Sequence, residues 1–347
     1  MAPSADSDSS ARTAFTLVEV LVTIGIIGLL VGLTLPVVQA SRESARRARC
    51  ANNLRQLILA TNNFAAANNG FPSDVTNHLI KPPPNVKLSN STIQCQLLGY
   101  LEQTPLLNSI NFNVPMAFPE DIPAENQTAA TASVAAFLCP SDPLTRAMPY
   151  GCQSYRANVG LDEWRTTLWG SPPHWVLMRT ERGAFGDVGS VLPLSAFTDG
   201  MSNTLAFSEK RVGSGSGPYN PTRDWINGVI SSWPVEFTAD DWVALCSSLA
   251  PEQAQNAVLD SGRYWILYGA CFDSFYASVP PNSLVPDCGD RNDNGTGVFA
   301  ARSYHPGGVN AALADGSVRW FASTIAMRTW RALGTCGGGE EVNQGSY

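Results

Sequence analysis

The longest apolar stretch of the chain covers residues 15–38, and Glu19 is the only ionisable side chain within it. As an α-helix, these residues would be about 36 Å long, which is enough to cross the hydrocarbon core of a bilayer. A secretory signal peptide is the competing interpretation, but its apolar region has only about 7–15 residues and follows a basic segment. Because the run passes directly into a polar helical pattern, we expect it to remain in the protein as a transmembrane helix.

The next residues predict that the same helix continues over 39–69. Small and apolar residues recur at every third or fourth position, as on one face of a helix. They are Ala40, Ser44, Ala48, Ala51, Leu54, Ile58, Thr61 and Ala65. Asn69 and Gly70 end the pattern, and Pro72 follows, as is typical of a helix terminus. We therefore expect one long helix from residue 15 to about residue 69.

Residues 70–347 show no helical pattern of comparable length. Short apolar segments separated by turn residues dominate, which predicts a large, mainly antiparallel β head with long loops. The clearest segments cover residues 204–207, 264–268, 309–313 and 317–321. The predicted fold class is α+β, with a helical spine followed by this head.

The C-terminal part of the head contains a hairpin signal near residues 305–321. Asp315 and Gly316 form a dipeptide that tight primed turns prefer, and alternating apolar residues flank them. His305 precedes the first predicted strand. The sequence therefore predicts a β-hairpin with a primed turn at Asp315-Gly316, in which Gly316 has a positive φ.

Eight cysteines predict disulfides if the head lies in an oxidising compartment. Cys139 with Cys152, and Cys271 with Cys288, are the pairs closest in sequence and serve as first guesses among 105 connectivities. No C-x-x-C pair occurs, which argues against a structural zinc site or a thioredoxin-like redox site. The net charge is −7, so we expect no nucleic-acid partner.

Catalytic motifs are absent from the sequence. His305, Asp315, Asp199 and Glu209 could form an acid–base set. No nucleophile motif or metal-ligand spacing accompanies them. We therefore expect two turns at the aspartates and a hydrogen bond from His305 to a backbone group. The prediction is a protein that is not an enzyme and needs no cofactor.

Calcium is the one metal that the sequence leaves open. Asp290, Asn292 and Asn294 fit the first half of a calcium-binding loop. Ala301 occupies the position of the bidentate glutamate, which excludes a complete EF-hand loop. An Asn/Asp-rich turn is the alternative interpretation.

Residues 14–19 resemble the processing site of type IV pilins and type II secretion pseudopilins. The resemblance implies that prepilin peptidase cuts between Ala14 and Phe15, removing a leader of residues 1–14, and methylates the new amine. Glu19 and Pro36 then take the fifth and twenty-second mature positions, both favoured in that family. Glu19 would pair with the Phe15 amine of a neighbouring subunit, which would offset the cost of a carboxylate in lipid.

Two signals disagree about the orientation of the anchor. The pilin resemblance implies a single-pass protein of the inner membrane, in contact with its lipid, with the head in the periplasm or outside the cell. Basic residues give the opposite signal, because Arg12 alone precedes the apolar run and four arginines follow it. Those four are Arg42, Arg46, Arg47 and Arg49. We follow the processing motif, because it matches several positions at once.

Several blocks along the chain resemble a pilin-like bacterial family known as domain of unknown function 1559. They include residues 50–54, 98–103, 137–142 and 199–205 with Glu209, and the His-x(9)-Asp-Gly segment from His305 to Gly316. The resemblance implies a structural or assembly subunit of a type IV pilus or type II secretion related system, with other pilin or pseudopilin subunits as partners. A membrane-tethered extracytoplasmic ligand-binding module that does not polymerise is the alternative. An exported hydrolase is the third interpretation.

Overall fold

A computed structural model describes residues 17–73, 75–77, 90–114, 122–146, 150–161, 164–166, 177–179, 182–185, 190–229, 236–249, 256–267, 269, 271–290, 296–340 and 342. The helices are α1 (Leu17–Asn68), α2 (Ile93–Leu97), α3 (Thr104–Asn108), α4 (Ala124–Thr131), α5 (Ala239–Ser247) and α6 (Met327–Gly334). The strands are β1 (Val75–Asn77), β2 (Asn90–Thr92), β3 (Tyr155–Asn158), β4 (Trp164–Thr166), β5 (Leu177–Arg179), β6 (Leu205–Glu209), β7 (Trp225–Asn227), β8 (Glu236–Phe237), β9 (Ala257–Val258), β10 (Ser274–Phe275), β11 (Asp287–Asp290), β12 (Thr296–Val298), β13 (Gly308–Leu313) and β14 (Val318–Ala322). The predicted α+β class is confirmed.

Helix α1 is a single helix of 52 residues, which contains Pro36. Its N-terminal part is long and apolar enough to cross a membrane, and its most apolar 18-residue window has a mean hydropathy of 2.5. Asn69 directly follows the helix and has a φ of 61°, and the Gly70 N–H donates to the Ala65 carbonyl. This left-handed ending is the terminator that the Asn-Gly pair predicted.

The chain divides into two compact units, Met1–Ala45 and Arg46–Tyr347, so the last part of α1 belongs to the same unit as the head. Within that part, Cys50, Leu54 and Ile58 are fully buried, and Thr61 and Ala65 continue their stripe. Ala48, which the sequence placed on this face, is exposed. The buried face follows the predicted helical spacing from Leu54 onward.

The central sheet of the head has the strand order β10-β3-β6-β13-β14. All its neighbouring pairs are antiparallel except β10 with β3, which is parallel. Strand β13 is buried throughout, and its side chains alternate between two cores. Val309 and Leu313 share one core with Trp330 of α6, whereas Ala312 shares the other with Leu54 of α1. The last part of α1 and helix α6 therefore cover opposite faces of this sheet.

The remaining described strands form smaller sheets. Their orders are β12-β11-β7-β9, β5-β4-β8 and β1-β2. The pairings are antiparallel except for β11 with β7. The predicted segment 264–268 is not a strand over its described residues, 264–267: a turn at Trp265 and Ile266 is followed by a bend at Leu267, and these three residues are fully buried. This apolar segment therefore belongs to the core, as its composition indicates, but it does not form a strand.

The predicted C-terminal hairpin is formed by β13 and β14, with Gly308 opposite Ala322 and Ala312 opposite Val318. Gly316 has a φ of 95°, as predicted, but Asp315 has no positive φ. The Gly316 N–H donates to the Leu313 carbonyl, and the Leu313 N–H donates to the Ser317 carbonyl. The connection is therefore a three-residue loop ending in a left-handed glycine. The predicted primed turn is wrong, since both primed types need a positive φ at the first turn residue, here Asp315.

Cys139 forms a disulfide with Cys50, so its predicted pairing with Cys152 is wrong. The two bonded cysteines are 89 residues apart, and helix α1 carries Cys50 to the segment that contains Cys139. Cys152 is buried elsewhere and its thiol donates to the Tyr150 carbonyl at 3.5 Å. Burial raises the pKa of Cys152 to about 11, which keeps its thiol protonated.

Cys288 forms a disulfide with Cys246, so its predicted pairing with Cys271 is also wrong. Cys246 lies on α5 and Cys288 on β11, and both belong to a core with Trp242 and Val298. The helix packs on the sheet through this core, which brings together two cysteines that are 42 residues apart. Proximity along the sequence therefore failed to identify either partner.

Candidate functional site

Four side chains that could bind a metal ion converge beside the buried end of the spine. The Sγ atoms of Cys50 and Cys139, a carboxylate oxygen of Glu209 and an imidazole nitrogen of His305 all lie within 4.8 Å of one another. Helix α1 supplies Cys50, the end of β6 supplies Glu209, and the segments before β3 and β13 supply the other two. We call these four residues the Cys–His–Glu cluster.

The Glu209 carboxylate is oriented by Asn310, which lies on the neighbouring strand β13. The Asn310 backbone N–H donates to Oε2 at 2.8 Å, and its side-chain amide donates to Oε1 at 2.8 Å. His305 Nε2 lies 3.2 Å from the same Oε1 atom. Glu209 is only 2% exposed, and a buried carboxylate is costly unless such partners compensate for its lost hydration.

His305 lies between the carboxylate and the disulfide. Its Nε2 atom is 3.7 Å from Cys139 Sγ, and its side chain is fully buried. The ring also contacts Trp320, with the ring centroids 6.4 Å apart and the planes at 64°. The expected hydrogen bond from His305 to a backbone group therefore describes its surroundings only in part, because Nε2 also faces the Glu209 carboxylate and the Cys139 sulfur.

The spine reaches the cluster through more than Cys50. Asn53 donates its side-chain amide to the Leu138 carbonyl at 2.9 Å, next to Cys139. The guanidinium carbon of Arg47 lies 3.6 Å from the centroid of the Trp320 ring, in a cation–π contact. These contacts and the disulfide fix the spine against the segment of Cys139 and against β14.

A buried group of charges adjoins the cluster. Lys210 contacts the Asp287 carboxylate, and Arg302 Nη2 lies 2.9 Å from Asp287 Oδ1. Burial lowers the pKa of Lys210 to about 7, because the attraction of Asp287 offsets the lost hydration only in part. Burial acts to raise the pKa of Asp287, but Arg302 and Lys210 outweigh it and hold that pKa below its usual value.

Asp142 lies at a small pocket beside this charge group. Its Oδ2 accepts from the Val212 N–H at 2.8 Å and its Oδ1 from the Leu144 N–H at 3.0 Å. Burial nevertheless raises the pKa of Asp142 to about 6. The pocket is lined by Cys139, Asp142, Ser154, Glu209, Lys210, Arg211, Arg302, Ser303 and Tyr304.

The structure separates the acid–base set considered from the sequence. His305 and Glu209 meet, whereas Asp315 is exposed at the other end of β13, about 17 Å along the strand. The Asp315 carboxylate accepts from the Ser317 N–H and hydroxyl, as a turn residue does. Asp199 lies in a turn, in which the Gly200 N–H donates to the Phe197 carbonyl, and its carboxylate accepts from the Gly339 N–H at 3.1 Å. Both aspartates therefore lie in turns, as the sequence predicted.

Other predicted site residues lie on the anchor or outside the described residues. Glu19 is in the first turn of α1, and Pro36 is inside the helix. Ala14 and Phe15 lie outside the described residues, as do Asn292 and Asn294. The backbone of Asp290 is described at the end of β11, where it pairs with Thr296 of β12.

Sequence reasoning named every member of the Cys–His–Glu cluster except Cys50 as a candidate, but did not bring the members together. All four residues lie in the separate sequence blocks that resemble one family. That common feature is the sequence signal that could have grouped them as one site.

A family model described as "Protein of unknown function (DUF1559)" matches residues 39–328. The chain belongs to this family. The DUF1559 match begins after the most apolar part of α1 and includes all four members of the cluster. No curated protein and no solved structure matches the chain.

Proposed function

We propose that this DUF1559 protein is a pilin-like or pseudopilin-like subunit, anchored in the inner membrane by residues 15–38, with its head in the periplasm or outside the cell. Its role would be structural rather than enzymatic. Prepilin peptidase would cut between Ala14 and Phe15, and further pilin or pseudopilin subunits and membrane lipid would be its other partners.

The exposed apolar surface of α1 carries this proposal. Between Leu17 and Val38 the large aliphatic side chains are 43–78% exposed. Burying one such side chain contributes about 1.5–3 kcal/mol, so leaving this whole surface in water would cost on the order of tens of kcal/mol. Lipid, and neighbouring helices after assembly, would cover it.

The disulfides support an exported head. Cys50–Cys139 and Cys246–Cys288 join segments of the head unit, and disulfides persist in oxidising compartments outside the cytoplasm. This supports the orientation implied by the processing motif over the one implied by the arginines.

Mass spectrometry of the N-terminal peptide tests the processing step. We expect a mature chain that begins with N-methylated Phe15, and an uncut leader in a strain without prepilin peptidase. An uncut Met1 leader in the wild-type strain, or a cut after Val38, would refute the pilin-like proposal.

Glu19→Leu tests the assembly step. The change removes a charge from the apolar run, so membrane insertion should improve by up to about 3 kcal/mol. Incorporation into filaments should fall, because the partner of the Phe15 amine is lost. Thr23→Leu, one turn further along α1, is the control: it also makes the segment more apolar but leaves the carboxylate in place, so assembly should persist.

Microscopy and filament preparations provide the measurement, in wild type and in a strain without the assembly ATPase. Normal assembly of Glu19→Leu would contradict a role for the carboxylate. Protein that stays dispersed in the membrane of both strains would favour a tethered ligand-binding module that does not polymerise.

A further inference from the structure

We propose that the Cys–His–Glu cluster binds a zinc-class divalent ion when the Cys50–Cys139 disulfide is reduced, so that the disulfide and the metal are alternative ways to fix the spine to the head. The ligands would be both thiolates, His305 Nε2 and Glu209 Oε1. This site is independent of whether the protein assembles into filaments.

The spacing of the ligand atoms supports a tetrahedral site. With zinc bonds of about 2.3 Å to sulfur and 2.0–2.1 Å to nitrogen or oxygen, tetrahedral geometry places sulfur and nitrogen about 3.6 Å apart, and nitrogen and oxygen about 3.4 Å apart. The Cys139 Sγ to His305 Nε2 distance is 3.7 Å, and the His305 Nε2 to Glu209 Oε1 distance is 3.2 Å. These two separations are already close to those that zinc requires.

One rearrangement remains. The two sulfur atoms must separate from a bond length of about 2.0 Å to about 3.8 Å. Rotation of the Cys50 and Cys139 side chains can provide much of this change, because their Cα atoms are 5.2 Å apart and need not hold the sulfurs in contact once the bond is broken. All four ligand atoms already lie within 4.8 Å of one another.

The type of ligand selects the metal. Two thiolates and an imidazole favour zinc or another borderline transition metal, whereas calcium and magnesium require oxygen ligands. Asn310 would act as a positioning residue, because its two hydrogen bonds orient the Glu209 carboxylate. Carboxylates that bind metal ions are commonly oriented by such hydrogen bonds from residues that do not touch the ion. A buried set of four protein ligands is typical of a structural rather than a catalytic zinc site.

The exchange between the two states is a balanced two-electron reaction. A dithiol donor transfers two electrons and two protons to the disulfide, which breaks the Cys50–Cys139 bond and leaves the donor as its own disulfide. The ion then displaces the two thiol protons and binds the neutral His305 ring. A disulfide oxidant reverses the reaction: it takes two electrons from the thiolates, which re-forms the Cys50–Cys139 bond and releases the ion, and it becomes a dithiol by taking two protons from water.

Cobalt titration of the full-length protein in detergent tests the site. One sample is oxidised protein, and the other is protein reduced by dithiothreitol, from which the reductant is then removed in the absence of oxygen. Co²⁺ is added to both, because its complexes with thiolates absorb light strongly. We expect one thiolate-bound Co²⁺ per reduced chain, displaced by Zn²⁺, and none per oxidised chain. Equal binding by oxidised and reduced protein, or no thiolate absorption after reduction, would overturn the proposal.

Variants separate this site from the other thiols. Cys50→Ser/Cys139→Ser should lose the thiolate-bound Co²⁺, whereas the matched control Cys246→Ser/Cys288→Ser, which removes the other disulfide, should keep it. Unchanged binding in the first variant would refute the assignment.

Two substitutions outside the cysteines keep the test decisive if the serine variant does not fold. His305→Ala should weaken Co²⁺ binding at least about tenfold, and Asn310→Ala by about 10–100-fold. Thermal melts of the oxidised variants establish that each is folded. A folded His305→Ala protein with wild-type Co²⁺ affinity and spectrum would exclude the proposed ligand set.

Discussion

Replacing both Cys50 and Cys139 with alanine should lower the free energy of unfolding by about 4–5 kcal/mol. The disulfide closes a loop of 89 residues. A cross-link across a loop of this size lowers the conformational entropy of the unfolded chain, which raises its free energy by about 4–5 kcal/mol. The double variant is preferable to either single one, because a single change leaves a reactive buried thiol.

The matched control is Cys152→Ala. Cys152 is also buried, but the structure places it outside both disulfides, so its removal should cost no more than the packing of one small side chain. If Cys139 were instead bonded to Cys152, the shorter loop would contribute about 3 kcal/mol, and Cys152→Ala would show that loss.

Urea denaturation of the oxidised protein in detergent provides the measurement, with the fluorescence of its nine tryptophans as the signal. Peptide mapping without reduction identifies the bonded pair directly. A loss below about 1 kcal/mol in the Cys50/Cys139 variant, or a Cys139–Cys152 peptide, would refute the reasoning from loop closure.

Two further predictions concern the hairpin and the buried carboxyl. Gly316→Val should destabilise the head by about 1–3 kcal/mol in thermal melts, because a β-branched residue is strained at a φ of 95°. Gly316→Asn should cost less, because asparagine tolerates a positive φ better. Equal losses of stability in the two variants would contradict the conformational explanation. Burial raises the pKa of Asp142 from its usual value near 3.8 to about 6, so between about pH 4 and 6 the folded protein holds a proton that the unfolded chain has released. The free energy of unfolding should therefore fall by up to about 3 kcal/mol as the pH rises through this window, and Asp142→Asn should remove that dependence in urea titrations. A pH profile unchanged in Asp142→Asn would contradict the assigned protonation.

Local patterns in the sequence were sufficient for the spine and for the hairpin. The spacing of Leu54, Ile58, Thr61 and Ala65 predicted the buried face of α1, because a helix places every third or fourth residue on one side. Gly316 predicted the left-handed position of the hairpin loop, because glycine has no Cβ to oppose it. The loop type was missed, since the same dipeptide also fits a three-residue loop.

Only the tertiary structure decided which distant residues meet. Cys139 lies closer in sequence to Cys152 than to Cys50, yet α1 packs on the head in a way that delivers Cys50. Glu209 and His305 meet because β6 and β13 are neighbours in the central sheet, and Asn310 completes their contact. The sequence determined the spine and the hairpin strands, because periodicity and turn chemistry act over a few residues. The disulfides and the cluster depend on how those elements pack. The entropy cost of closing a loop rises only slowly with sequence separation, so it favours near partners only weakly, and the packing of the core decides which distant residues meet.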